Sequence, residues 1–149
     1  ALTQGLELGT YTITYIATDA CGNVGFDVMT VTVEDLIAPI AICDENTTVS
    51  LDNNGFASID AITFDDGSTD NCSDVTFDVR KVFDACDPTN TAFGSSVSFC
   101  CADVGTQVMV DLRVTDAAEN INACIVLVVF LYNIDPTIIS TLSHPLDCS

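Results

Sequence analysis

A pair of strand-like segments occurs twice in this chain, and that repetition restricts the fold more than any other feature. The run Gly9-Thr10-Tyr11-Thr12-Ile13-Thr14-Tyr15-Ile16-Ala17-Thr18-Asp19-Ala20 matches Gly105-Thr106-Gln107-Val108-Met109-Val110-Asp111-Leu112-Arg113-Val114-Thr115-Asp116-Ala117, with one extra residue in the second copy. Each match leads into a short turn carrying Asn23 or Asn120. A second apolar run follows, Phe26 to Val33 or Cys124 to Tyr132, and then an acidic or amide residue and a proline. Side chains of a strand alternate between its faces, so Tyr11, Ile13, Tyr15 and Ala17 share one face, as do Val108, Val110, Leu112 and Val114. Each copy should bury that face on a core.

If the pair forms the last two strands of a domain, residues 1–34 are the end of one domain, residues 35–133 make a complete one, and residues 134–149 are a linker into a following domain or subunit contact. Within the complete domain the pattern predicts strands at Ile40–Cys43, Thr47–Leu51, Ala57–Ile59, Val75–Val82, Val97–Cys100, Val108–Val114 and Cys124–Tyr132. Turn formers separate them: Asp52-Asn53-Asn54-Gly55 suits a tight hairpin turn, and Asp65-Asp66-Gly67-Ser68 is rich in side chains that bond their own backbone. No stretch has a helical period. Seven short strands of this kind predict an all-β, immunoglobulin-like sandwich.

Eight cysteines in 149 residues point to an oxidising, extracellular compartment, secreted or at the cell surface. Zinc would need paired C-x-x-C ligands or histidines, whereas the only adjacent cysteines are Cys100 and Cys101 and the only histidine is His144. A formal net charge of −19, with only three Lys or Arg, repels phosphate backbones and anionic lipid, which argues against nucleic-acid and membrane partners. The longest apolar run, Cys124 to Leu131, is far short of the ~20 residues that span a bilayer. Carboxylates in this excess either keep a long extracellular polymer soluble or bind hard cations, making calcium the candidate cofactor.

The ordered set Gly9–Ile13, Thr18-Asp19-Ala20-Cys21-Gly22-Asn23, Val31–Asp35 with Ala38-Pro39, Ser68–Cys72 and Cys101–Thr106 resembles the hyalin-repeat and related immunoglobulin-like tandem repeats of large bacterial surface and secreted proteins. The resemblance covers about residues 1–132. It implies a spacer or adhesion module without catalytic residues. Departures are Glu119 in place of the first copy's Gly22, an inserted loop around Cys86, and drift after Pro136. The resemblance also implies disulfides: Cys43 with Cys124, Cys72 with Cys101 and, by remainder, Cys86 with Cys100, while exchange among the last four stays open because neighbouring cysteines are alike in sequence. Cys21 and Cys148 are left for partners elsewhere in the polypeptide or for an intermolecular disulfide between successive copies, with free thiols as the alternative.

The densest oxygen cluster is Asp65, Asp66, Asp70, Asn71 and Asp74, a candidate calcium loop that lacks EF-hand spacing and suits a solvated acidic turn better. Asp19 with Asn23, and Asp116 with Asn120, lie at the end of a domain where Asp35 or Asp135 of a linker could complete an ion site; hydrogen bonds to turn amides account for the same residues. Catalysis has no arrangement to rest on, since His144 precedes a proline near the chain end and no nucleophile–base pair is visible. Asn46-Thr47-Thr48 and Asn71-Cys72-Ser73 match the short N-glycosylation pattern. The expectation is a structural repeat of a secreted or cell-surface adhesin or extracellular filament, with copies of itself as partners in a linear head-to-tail array. A ligand- or carbohydrate-binding accessory module is the alternative, disfavoured by the absence of Trp. Head-to-tail contact should bury Tyr11, Ile13, Tyr15, Met29 and Val31. The run from Cys124, apolar on both faces, should lie against a further layer.

Overall fold

The computed structural model describes residues 6–130 and divides after Ile37 into two compact units. Strand β1 (Gly9–Thr18) and strand β2 (Val24–Val33) form the first unit, an antiparallel two-stranded sheet. The register pairs Tyr11 with Val31, Ile13 with Met29 and Tyr15 with Asp27 on one face, and Thr10 with Thr32 and Thr12 with Thr30 on the other. Alternation of β-branched and aromatic residues with threonine produces this apolar-over-polar ribbon.

The second unit begins at Ala38 and contains β3 (Asn46–Val49), β4 (Phe56–Asp60), β5 (Thr76–Lys81), β6 (Ser96–Cys100), β7 (Val108–Thr115) and β8 (Ile121–Phe130). Short 3-10 turns follow β4 at Ala61–Phe64 and β6 at Cys101–Asp103. One sheet has the order β3-β8-β7-β5, in which β3 runs parallel to β8 and the other neighbours are antiparallel; β4 and β6 make a separate antiparallel pair. The all-β expectation holds for the described residues.

Both sheets contribute to one core. Val108, Val110, Leu112 and Val114 of β7 are buried at every second position, beside Val79 of β5 and Val126 and Val128 of β8 in the same sheet, in one core with Val97 and Phe99 of β6 from the other sheet. Phe99 meets Phe130 edge to face, with ring centres 5.7 Å apart. Complete burial of one such aliphatic side chain contributes roughly 1.5–3 kcal/mol, so the four β7 residues are the main contributors to this sheet's attachment.

Three expectations need correction. Ile40–Cys43 is not a strand: it makes only isolated bridges, Ile40 with Thr69 and Cys43 with Asp65, because the Ile42 N–H is taken by the Ser68 hydroxyl at 2.9 Å. Asp52–Gly55 does turn tightly, with the Asp52 carboxylate accepting the N–H groups of Asn54 and Phe56 at 2.9 Å each, but it carries the chain from one sheet to the other instead of joining a hairpin. Gly55 lies at φ 79° with its α-carbon turned towards Cys101, where a Cβ would come 2.5 Å from the Cys101 sulfur.

The third correction concerns sulfur. Cys43–Cys124 and Cys86–Cys100 are bonded, closing sequence separations of 81 and 14. Cys72 and Cys101 are not joined to each other: Cys101 sits after β6 against Gly55 and is engaged in a different disulfide, while Cys72 lies in the loop leading to β5. Cys100 ends β6 with its sulfur bonded to Cys86, whereas Cys101 opens the 3-10 turn with its sulfur beside Gly55.

Candidate functional site

The two repeats can be superimposed residue by residue through their turns. In the first, the Asp19 carboxylate accepts the N–H groups of Cys21 (2.8 Å) and Asn23 (2.9 Å) and the Asn23 side-chain amide (2.6 Å). In the second, Asp116 accepts the N–H groups of Ala118 and Asn120 and the Asn120 side-chain amide, each at 2.8 Å. Gly22 at φ 87° has its counterpart in Glu119 at φ 68°, the one non-glycine residue with positive φ among those described. Hydrogen bonds from Asn23, its side chain first, hold the Asp19 carboxyl below its ordinary pKa.

The equivalence extends along both strands. Tyr11 pairs with Val31 as Val108 pairs with Val128, Ile13 with Met29 as Val110 with Val126, and Tyr15 with Asp27 as Leu112 with Cys124. The surroundings differ. Leu112 and Val126 are 0% exposed, whereas their counterparts Tyr15 and Met29 are 48% and 39% exposed. The first hairpin therefore presents an apolar face in the register that the second buries. At its turn end the opposite face is apolar as well, with Ile16, Val24, Phe26 and Val28 exposed. A further exposed stripe, Met109, Ile125 and Val129, runs over the outer face of β7–β8.

The acidic side chains of residues 65–74 mostly bond the backbone of their own turns. Asp65 accepts the N–H of Ser68 at 2.9 Å and of Gly67 at 3.2 Å, and Asp70 accepts those of Cys72 at 2.8 Å and Ser73 at 3.0 Å. The Cys72 N–H is the first cause of a lowered pKa at Asp70. Asn71 donates to the Cys72 sulfur, Asp66 has its N–H on the Ile42 carbonyl, and Asp74 is exposed. No three carboxylates of residues 65–74 converge to ligand distance. Asp35 accepts the N–H of Ile37. Cys21 is exposed in the first turn. Asp135, His144 and Cys148 lie outside the described residues.

One cluster was not anticipated. Lys81 at the end of β5 has a fully buried side chain, with its Nζ 2.6 Å from Asp84 and 2.9 Å from Asp103. The signal was present in the strand period: Phe77, Val79 and Lys81 are in the same phase, so the lysine had to enter the core side. The two arginines are on the opposite side of β5 and β7, where Arg80 pairs with Asp111 and Arg113 with Asp78, and both guanidinium groups lie 4.3 Å from the Phe93 ring centre. All three Lys and Arg side chains are thus ion-paired.

No helix among the described residues is long and apolar enough to cross a membrane. No protein-family model matches the chain, and no curated protein matches it at significant similarity.

Proposed function

We propose that this chain is a structural repeat of a secreted or cell-surface adhesin or extracellular filament, built from immunoglobulin-like sandwiches and assembled head to tail. The observation that carries the reading is the first hairpin, which has the turn and register of β7–β8 but an open apolar face. In the second unit that face is covered by β4–β6, β5 borders β7, and β3 borders β8. The occupant implied for the first hairpin is therefore the matching set of strands from a neighbouring module of the same repeat. A face that accepts a different surface from the one its own unit offers generates open, linear arrays. The sheet order with a parallel β3–β8 edge supports the sandwich reading, and the disulfides support an oxidising compartment.

Sedimentation velocity across a concentration series, with electron microscopy of the same samples, tests the assembly. The expected result is linear multimers that lengthen with concentration and are lost in Tyr15→Lys but retained in Thr12→Lys on the threonine face. A monomer at every concentration, or multimers indifferent to Tyr15→Lys, would overturn it.

A further inference from the structure

Burying a lysine with two carboxylates sets up a chemical problem. Lys81 lies opposite Val110 in the ladder, inside the core, and its Nζ is 5.3 Å from the centre of the Phe99 ring. The Asp103 side chain is equally closed to solvent; its Oδ2 accepts the Cys100 N–H at 3.0 Å, and its Oδ1 is buried with no hydrogen-bond partner. Asp84 Oδ1 accepts the N–H groups of Cys86 at 3.0 Å and Asp87 at 3.2 Å. The Cys86 sulfur, bonded to Cys100, stands 3.3 Å from Nζ. With all three side chains ionised the pocket holds two negative charges against one positive, and one carboxylate oxygen has lost its water without gaining a donor.

We propose that the folded chain resolves this by joining Lys81 to Asp103 through an intramolecular amide bond, with Asp84 as the proton carrier. Asp84 takes a proton from the Lys81 ammonium and passes it to Oδ1 of Asp103, so that the freed amine attacks Cγ of a neutral carboxyl group. The Nζ–Cγ bond forms while Oδ2, held by the Cys100 N–H, carries the developing negative charge and becomes the amide oxygen. The Cγ–Oδ1 bond breaks, and Oδ1 leaves as water with two protons from Nζ, one of them relayed through Asp84. Ammonium plus carboxylate gives amide plus water, so no oxidant or cofactor enters. Asp103 is the electrophile because its leaving oxygen is unbonded, whereas Asp84 Oδ1 is fixed by two amides. The fold supplies the proximity that makes such a condensation effectively unimolecular, and the closed pocket keeps water from reversing it. This inference is independent of the assembly reading.

Mass spectrometry of the full wild-type chain, reduced and denatured, tests it. The expected mass is that of the sequence less one water. Trypsin has three sites, after Arg80, Lys81 and Arg113. Acylation of Nζ should block the second and leave an 81–113 fragment whose water loss maps to a Lys81–Asp103 link. Lys81→Arg and Asp103→Ala should each restore the full sequence mass, and Asp84→Asn should do so with Cys86–Cys100 intact. A wild-type chain of full sequence mass, or a link mapped to Asp84, overturns the proposal; undiminished linking in Asp84→Asn overturns the proton relay.

Discussion

The hairpin β1–β2 and the hairpin β7–β8 have the same turn, the same register and the same alternation, yet Leu112 is wholly buried where Tyr15 is half exposed. Local sequence sets the ribbon; the strands that come to lie on it set its burial. A turn held by Asp19 or Asp116 can specify a hairpin twice without specifying what covers it, because the covering residues, Val97 and Phe99 among them, come from another sheet. The difference also reaches the staple. Cys124 of β8 is bonded to Cys43, while the corresponding position in β2 is Asp27.

Removing that staple should have the largest effect. Cys43→Ser with Cys124→Ser reopens a loop spanning a separation of 81 residues, and the second unit should lose about 4 kcal/mol in urea unfolding, less any strain released. Amide exchange at the Asp19–Asn23 turn should not change, since that turn is closed by its own side chains.

Next comes a matched pair at equivalent sites. Leu112→Ala should cost about 2–5 kcal/mol through lost burial and the cavity left behind. Tyr15→Ala in dilute, unassembled chain should shift the stability of the second unit by less than about 0.5 kcal/mol. Equal costs by urea titration would mean that the first hairpin's face is already covered in the isolated chain.

Exchanging the turn residues gives a smaller effect of opposite sign. Glu119→Gly should stabilise the second unit by up to about 1 kcal/mol, because a side chain at φ 68° is strained; Gly22→Ala at φ 87° should loosen the first turn by a similar amount. Thermal unfolding and turn amide exchange, respectively, measure them.

The smallest effect is that of pH on the exposed first turn. The Asp19 carboxyl titrates lower folded than unfolded, so its contribution is complete above the ordinary value of 3.8 and is lost as pH falls through the folded value. Protection of the Asn23 amide should be flat from neutral pH down to about 5 and decline at lower pH, with the decline absent in Asp19→Asn.

Much of this fold was legible because the repeat and the two-residue period are local signals. The period located β4 to β8 to within a few residues, and the Asp–Asn pairs marked both turns. What escaped depends on neighbours distant in the chain. Ile40–Cys43 has a strand-like composition, but its amides are met by the loop around Ser68. Cys100 and Cys101 are indistinguishable in sequence and separated in space because one ends β6 and the other opens a 3-10 turn. Lys81 was readable as an inward-phase residue, yet its partners Asp84 and Asp103 come from a loop and a 3-10 turn whose approach no periodicity encodes.

The bond between Cys43 and Cys124 also decides how this unit responds to tension. Force entering the backbone ahead of Cys43 and leaving beyond Cys124 passes straight through the two sulfur atoms. The polypeptide between them, which includes β3 to β7 and most of the buried residues, is bypassed and cannot be drawn out while the bond persists. A module stitched in this way transmits strain as a short, nearly inextensible link; reduction of a single covalent bond would turn it into an extensible one.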